Sequence, residues 1–353
     1  MGLKNSVLTT YISGFFLVFG TLTSAQDISI DQPGASFPEE GGVATITVRT
    51  DLIDPVNNIT VNLGFSGSAT LATDYSASQT SILIPAGIEY GTATLTGISD
   101  EIFEGTETIT VEITSVSGGT ASVGSPASLD LQITDNETAP EVSISASPTS
   151  FAENSSTTIT LSMTPATTET VTVNLAVTDG TTTEGDYNFS DTQVQFEAGE
   201  TQQQFVISGN EDGISEGTET FSIGITNVTG GSATMGTQDT QNLEITDNDG
   251  TPAASISASA ASFSEAAGAS VITVSLSPAS SQPVTVDLGV TGGTASTDDY
   301  LFPDTQVSFA AGETSKPVTI TGDDDLIFEG TETLTVAITG VTGGGASVGS
   351  PAS

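Results

Sequence analysis

Gly97-Ile-Ser-Asp-Glu-Ile-Phe-Glu-Gly-Thr-Glu-Thr-Ile-Thr-Val-Glu-Ile-Thr114 joins an acidic loop to a run in which apolar and polar residues alternate. In its second half Ile109, Val111 and Ile113 fall on one side, and Thr108, Thr110 and Glu112 on the other. That period of two is the signature of a strand with one buried face. The loop recurs as Gly209-Asn-Glu-Asp-Gly-Ile-Ser-Glu-Gly-Thr-Glu219 and Gly322-Asp-Asp-Asp-Leu-Ile-Phe-Glu-Gly-Thr-Glu332. Asp100, Asp212 and Asp325 correspond, as do Glu104, Glu216 and Glu329. A self-similar loop on a fixed period marks an array of like modules.

The period sets the module size. Asp74-Tyr75, Asp186-Tyr187 and Asp299-Tyr300 lie 112 and 113 residues apart, a comfortable length for one sandwich-type domain. In the first module the alternation predicts strands near 28–31, 43–49, 59–65, 80–84, 91–95, 106–114 and 128–134. Seven short strands parted by Gly, Pro, Asn and Asp, with no helical stretch of useful length, predict an all-β array of tandem antiparallel sandwiches of immunoglobulin-like size. No Cys pair and no Trp are present to make a true immunoglobulin domain. Phe37, Phe151 and Phe263 recur at matched places and read, with the three Tyr residues, as core or loop anchors.

Boundaries are expected after Thr134-Asp-Asn-Glu137 and Thr246-Asp-Asn-Asp249, giving modules over 26–137, 138–250 and 251–353 joined by very short linkers. Ala346-Ser-Val-Gly-Ser-Pro-Ala-Ser353 repeats Ala121-Ser-Val-Gly-Ser-Pro-Ala-Ser128 letter for letter, yet Leu129-Asp-Leu-Gln-Ile-Thr-Asp135 has no counterpart after Ser353. The third module is therefore expected to lack its last strand, as a fragment of a longer protein would, and to carry an unpaired sheet edge. At the other end Lys4, an apolar run from Val7 to Phe19 and Leu22-Thr-Ser-Ala25 read as a secretory signal peptide cleaved after Ala25, with a retained anchor as the alternative.

Three Lys and Arg against 44 Asp and Glu give a formal charge of -41, which argues against nucleic acid or an anionic membrane surface as a partner. With no Cys and no His, disulfides, thiol chemistry and the commonest general base are excluded. What remains is oxygen-ligand chemistry suited to hard cations, calcium above all.

The acids are sorted. Beyond the acidic loop, Glu39, Glu153 and Glu265 recur before the second strand, Asp74, Asp186 and Asp299 in the third connection, and Asp135 and Asp247 after the last strand. If strands alternate in direction, all of these lie at one pole, while the Gly-rich connection from Ser115 to Pro126 at the other pole has no acid. Two carboxylates about 4 Å apart repel by roughly 4 kcal/mol at an effective dielectric of 20, so a crowded rim calls for a counter-ion. The bland reading is an acidic surface that merely keeps a secreted protein soluble.

Phe-x-Glu near the start of each module, Asp-Tyr about 35 residues on, the Asp-rich loop running into Glu-Gly-Thr-Glu and the closing Ile-Thr-Asp-Asn resemble the Calx-beta family over almost all of residues 27 to 353. The resemblance implies a seven-stranded sandwich holding calcium at one end. Carried over by position, the implied ligands in module one are Glu39, Asp74, Asp100, Glu104 and Asp135, with Glu137 as a further candidate. In module two they are Glu153, Asp186, Glu211, Asp212, Glu216, Asp247 and Asp249, and in module three Glu265, Asp299, Asp323, Asp324, Asp325 and Glu329. Where module three has Asp323-Asp324, module one has Ile98-Ser99, so its site is expected to bind fewer ions or bind more weakly.

These observations predict a non-catalytic calcium-binding array, secreted or at the cell surface, acting as a spacer or adhesion module. Its partners would be calcium, neighbouring repeats packed end to end and an extracellular macromolecule. The alternatives are calcium-independent repeats of a larger secreted enzyme or adhesin, and a carboxylate-based glycosidase. Acids repeated in every module leave no unique catalytic pair to support the last.

Overall fold

A computed structural model describes residues 25–31, 34–324, 327 and 329–353. The segment read as a signal peptide lies outside the described residues except for Ala25, and so does Asp325. Among the described residues no helix is long and apolar enough to cross a membrane.

The chain divides into two compact units, one ending at Thr138 and one beginning at Ala139. In the first unit the seven expected strands and three shorter ones pair into two facing sheets of five. One runs Ala121–Val123, Gln26–Asp31, Val43–Thr50, Tyr90–Gly97, Tyr75–Ala77, and the other Ser36–Pro38, Ser128–Thr134, Thr106–Ser117, Ile59–Gly67, Ser81–Ile84. The alternation in Thr106–Ser117 does what its period requires: Ile109 and Val111 are fully buried and Ile113 nearly so. Leu129 and Leu131 of the antiparallel neighbour sit opposite Val111 and Ile109. Facing them, Ile28, Ile30, Ile46 and Val48 close the core from the other sheet. Each such side chain contributes about 1.5–3 kcal/mol by leaving water.

Short pieces escape the alternation. The first strand is split, with Gln26–Asp31 in one sheet and Ser36–Pro38 crossing to pair in parallel with Ser128–Thr134 in the other. Three-residue strands such as Tyr75–Ala77 are too short to show a period.

The second unit holds two sandwiches of the same plan. The first joins a sheet ordered Tyr187–Asn188, Gln202–Gly209, Ser156–Thr164, Glu141–Ser147, Thr234–Met235 to one ordered Ser150–Ala152, Thr240–Thr246, Glu219–Thr229, Val171–Asp179, Gln193–Phe196. Phe151 is buried and meets Phe221 edge-on, while Tyr187 stacks on Phe221 with ring centroids 4.7 Å apart. These aromatics anchor the core.

The last sandwich keeps one five-stranded sheet, but its other sheet has three strands, Gln306–Phe309, Val284–Gly293 and Leu334–Thr342. Between the two sandwiches of this unit, Ile214–Ser215 pairs in parallel with Ala279–Ser280. The amide and hydroxyl of Ser281 both donate to the Ser215 carbonyl, at 3.1 and 3.2 Å.

Candidate metal centre

The glycine that opens each acidic loop brings two chain segments into contact. A Cβ at Gly97 would lie 2.3 Å from the Glu39 carbonyl oxygen and 2.8 Å from its Cα. At Gly209 the same atom would lie 2.4 Å from the Glu153 oxygen, and at Gly322 2.5 Å from the Glu265 oxygen. No side chain fits there, so the residue before each acidic loop and the glutamate of the Phe-x-Glu motif are in backbone contact. Next to it, the Asp of each Asp-Tyr pair is tied in: the Asp74, Asp186 and Asp299 carbonyls accept from the amides of Ile98, Asn210 and Asp323, at 2.9 to 3.0 Å.

The closing aspartate folds the loop inward. One Asp135 carboxylate oxygen accepts from the amides of Glu104 and Gly105, each at 2.7 Å, and the other from the Glu137 amide at 2.8 Å. Asp247 repeats this with Glu216 at 2.9 Å, Gly217 at 3.2 Å and Asp249 at 2.7 Å. Burial works to raise the Asp135 carboxyl, but a hydrogen bond with the Glu137 side chain and then these amides outweigh it and hold it below the usual range. It stays charged, and it draws Glu104 with it.

As a result, carboxylate oxygens gather within 4.8 Å of one another in two groups in each of the first two modules: Glu39, Asp135, Glu137 and Asp74, Glu104, Glu107 in the first, Glu153, Asp247, Asp249 and Asp186, Glu216, Glu219 in the second. Among the described residues of the third module, Glu265, Asp299 and Glu329 form one group. At that spacing each ionised pair costs roughly 3.5 kcal/mol at an effective dielectric of 20.

The chain alone meets this cost by holding protons. Glu39 is pushed up to about 7, first by burial and then by the charges of Asp100, Asp135, Glu137 and Glu104. Burial and Asp74 push Glu104 and Glu107 to about 7. Burial and Asp247 do so for Glu153, and burial and Asp186 for Glu219. Several oxygens have no donor at all: Oε2 of Glu107, Glu137 and Glu153 and Oδ2 of Asp249 are buried without a hydrogen-bond partner. Glu153 as a residue is only 4% exposed. A divalent cation would satisfy these oxygens and remove the repulsion together, and an all-oxygen set of Asp, Glu and carbonyl donors fits calcium.

The fold therefore brings together Glu39, Asp74, Glu104, Asp135 and Glu137, then Glu153, Asp186, Glu216, Asp247 and Asp249, then Glu265, Asp299 and Glu329. Asp100, Glu211, Asp212, Asp323 and Asp324 join none of the tight groups. Asp100 instead accepts from the Ile102 amide at 2.7 Å, and Asp212 from the Ile214 amide at 2.8 Å. Glu211 accepts from the Asn248 side chain at 2.7 Å. Their charges still act at short range, Asp100 on Glu39 and Glu104, Asp212 on Glu153 and Glu216. Asp323 and Asp324 are exposed.

Glu107 and Glu219 belong to the groups without having been singled out. The signal was the last letter of Glu-Gly-Thr-Glu, which recurs in all three copies. Glu107 shares the parity of Ile109 and Val111, and Glu219 that of Phe221 and Ile223, so the alternation itself turns each toward the inward face, where it meets Asp74 or Asp186.

The model of the Calx-beta domain matches residues 23–137, 135–249 and 247–352. The chain belongs to the Calx-beta family. It is a tandem array of Calx-beta repeats and all-β throughout the described residues. No curated protein matches it in sequence. Among solved structures it is similar to the calcium binding domain CBD12 of CALX1.1, at 15% identity over 62% of this chain and 99% of that one, with a TM-score of 0.30. It is also similar to a tetra-tandem repeat in the extending region of a large adhesion protein, at 13% identity over 91% and 74% of the two chains and a TM-score of 0.34. For the Yersinia pseudotuberculosis adhesin InvE the values are 14%, 77%, 71% and 0.29. The family assignment rests on the three matched segments and not on these superpositions.

Proposed function

We propose that this Calx-beta array is a non-catalytic calcium-binding module, secreted or displayed at the cell surface, that serves as a spacer or adhesion element. The observation that carries the reading is the pair of carboxylate groups in each complete repeat, with buried oxygens that receive no hydrogen bond. Glu39, Asp74, Glu104, Glu107, Asp135 and Glu137 would hold calcium in the first repeat. Glu153, Asp186, Glu216, Glu219, Asp247 and Asp249 would do so in the second, and Glu265, Asp299 and Glu329 in the third. Asp100, Glu211, Asp212, Asp323, Asp324 and Asp325 would supply the outer field. Domain limits of 26–137, 138–250 and 251–353 go with this assignment.

Calcium would also act on a joint. Ile214–Ser215, which pairs with Ala279–Ser280 of the next repeat, lies in the chain between Asp212 and Glu216. An ion held by Glu216 and its neighbours orders the same few residues that form the joint, so binding and stiffness are linked. Acids repeated in every module, with no His or Cys, support a binding role over a catalytic one.

The test is amide hydrogen exchange on the whole chain with 10 mM calcium and then with chelator. For a dissociation constant near 10⁻⁴ M, such a ligand stabilises by about 2.7 kcal/mol. The Ser281 amide, hydrogen-bonded to Ser215, should exchange roughly 100-fold more slowly with calcium if the joint opens with the site. Unchanged exchange there, with calcium bound elsewhere, would remove the stiffening role and leave the binding role standing.

A further inference from the structure

The two-residue strand Ile214–Ser215, by which the second repeat reaches the third, is fastened on both sides to acids of its own repeat. The Ile214 amide donates to Asp212 Oδ1 at 2.8 Å. The Ser215 hydroxyl donates to Asp247 Oδ2 at 3.3 Å, beside the Glu216 and Gly217 amides at 2.9 and 3.2 Å. Three donors thus converge on one oxygen of Asp247, a carboxylate that belongs to the Glu153 group. Outer donors of this kind orient a ligating carboxylate.

Through its main chain the same residue faces the third repeat. The Ser215 carbonyl accepts from the Ser281 amide at 3.1 Å and from the Ser281 hydroxyl at 3.2 Å, which occupies both of its lone pairs. The receiving strand is firmly held. Ala279 and Ser280 are buried, the Ser280 carbonyl accepts from the Gly312 amide at 2.9 Å, and the Ser280 hydroxyl accepts from the Gln282 amide at 3.1 Å. Ser215 therefore bonds the candidate metal centre with its side chain and the neighbouring repeat with its carbonyl.

The first repeat has no such link. Phe103 stands where the second has Ser215, and a phenyl ring brings no donor. Asp135 Oδ2 takes the Glu104 and Gly105 amides without a hydroxyl from that position. In the third copy of the loop the sequence again has Phe, at 328. The hydroxyl belongs to the second repeat alone.

We infer that Ser215 is a positioning residue that couples the metal centre of the second repeat to the third repeat, and that Ser281, a residue of the other repeat, sets part of the calcium affinity of that centre. The inference rests on the calcium-binding reading above. Coupling between two sites is reciprocal: if a bound ion strengthens the joint, a weakened joint loosens the ion by the same factor. Losing one neutral hydrogen bond shifts an equilibrium by roughly 5-fold. Ser281→Ala keeps the amide bond to Ser215 and loses the hydroxyl bond, so it isolates that factor.

The test is amide exchange on the whole chain, titrated with calcium. Glu216 and Gly217, whose amides bond Asp247, report the second site, and Glu104 and Gly105, whose amides bond Asp135, report the first. In the Ser281→Ala chain the calcium midpoint at Glu216 and Gly217 should rise roughly 5-fold, while the midpoint at Glu104 and Gly105 stays in place. In a Ser215→Ala chain calcium should still protect Glu216, but the Ser281 amide should exchange at one rate in calcium and in chelator. Ser215→Thr, which keeps a hydroxyl, should restore the native response. A merely structural role for the two serines would speed Ser281 exchange by the same factor in calcium and in chelator and leave the Glu216 midpoint unmoved, and that result would overturn the inference. So would a native calcium response at Ser281 in the Ser215→Ala chain. Native exchange that ignores calcium at both pairs of amides would overturn the calcium-binding reading itself, and the coupling with it.

Discussion

Replacing Glu39 and Glu153 with Gln should change stability in opposite directions with and without calcium. Each of these side chains is 4% exposed and is pushed from an ordinary value of 4.5 to about 7 by burial and neighbouring acids. A rise of that size makes the ionised form about 3 kcal/mol less favourable in the fold than in the unfolded chain. The sign follows from linkage. Between pH 4.5 and 7 the fold binds more protons than the unfolded chain, so calcium-free stability falls as pH rises through that window and levels off above it. Gln is neutral and of the same shape, so at pH 8 without calcium it should stabilise each affected repeat by up to about 3 kcal/mol. At roughly 4 °C per kcal/mol for a domain of this size, that is a rise of up to about 10 °C in Tm. At pH 5 the gain should nearly vanish. With 10 mM calcium the order should reverse, because the substituted chain has lost a charged ligand from each complete repeat. Scanning calorimetry of the whole chain at pH 5 and 8, with calcium and with chelator, reads all four arms. A double variant less stable than the native chain at pH 8 in chelator, by the same amount as at pH 5, would refute the account of the buried carboxylates.

Asp247→Ala removes the acceptor of three backbone amides, Glu216, Gly217 and Asp249; it should cost about 3 kcal/mol even in chelator, read as a lower denaturant midpoint. Asp100→Asn, outside the tight groups, should cost less than about 1 kcal/mol in chelator while weakening calcium binding only a few-fold. Gly97→Ala drives a methyl into the Glu39 backbone, and should destabilise the first repeat by about 2 kcal/mol or more by calorimetry while leaving the transitions of the other repeats in place. Calcium binding at pH 7 should release protons, because Glu39, Glu104, Glu107, Glu153 and Glu219 are partly protonated there; the binding heat should therefore depend on the ionisation enthalpy of the buffer.

Much of the fold is legible in the sequence because burial on one face imprints a period of two, and Ile109, Val111 and Ile113 show it without ambiguity. What periodicity cannot show are pieces of two or three residues, such as Tyr75–Ala77, and the switch of the first strand from one sheet to the other at Ser36–Pro38. The site was legible as a pole, since alternating strands carry every recurring acid to one end. Its partition was not. Asp100 and Asp212 look like ligands by position but spend a carboxylate oxygen on their own loop, while Glu107 and Glu219 look like strand residues and turn inward. For Asp100 and Asp212 the difference is a hydrogen bond inside their own loop, which residue type does not show; for Glu107 the signal was present, since it shares the parity of Ile109 and Val111.

The central claim is that these carboxylates hold calcium. Isothermal titration of the whole chain with calcium at pH 7.5 tests it most directly, alongside a chain carrying Glu104→Gln and Glu216→Gln together. The account predicts saturable binding of several ions with dissociation constants no weaker than about 10⁻³ M, and a loss of stoichiometry in the variant. No binding heat up to 10 mM calcium in any buffer, or the same number of ions bound by the variant, would contradict it.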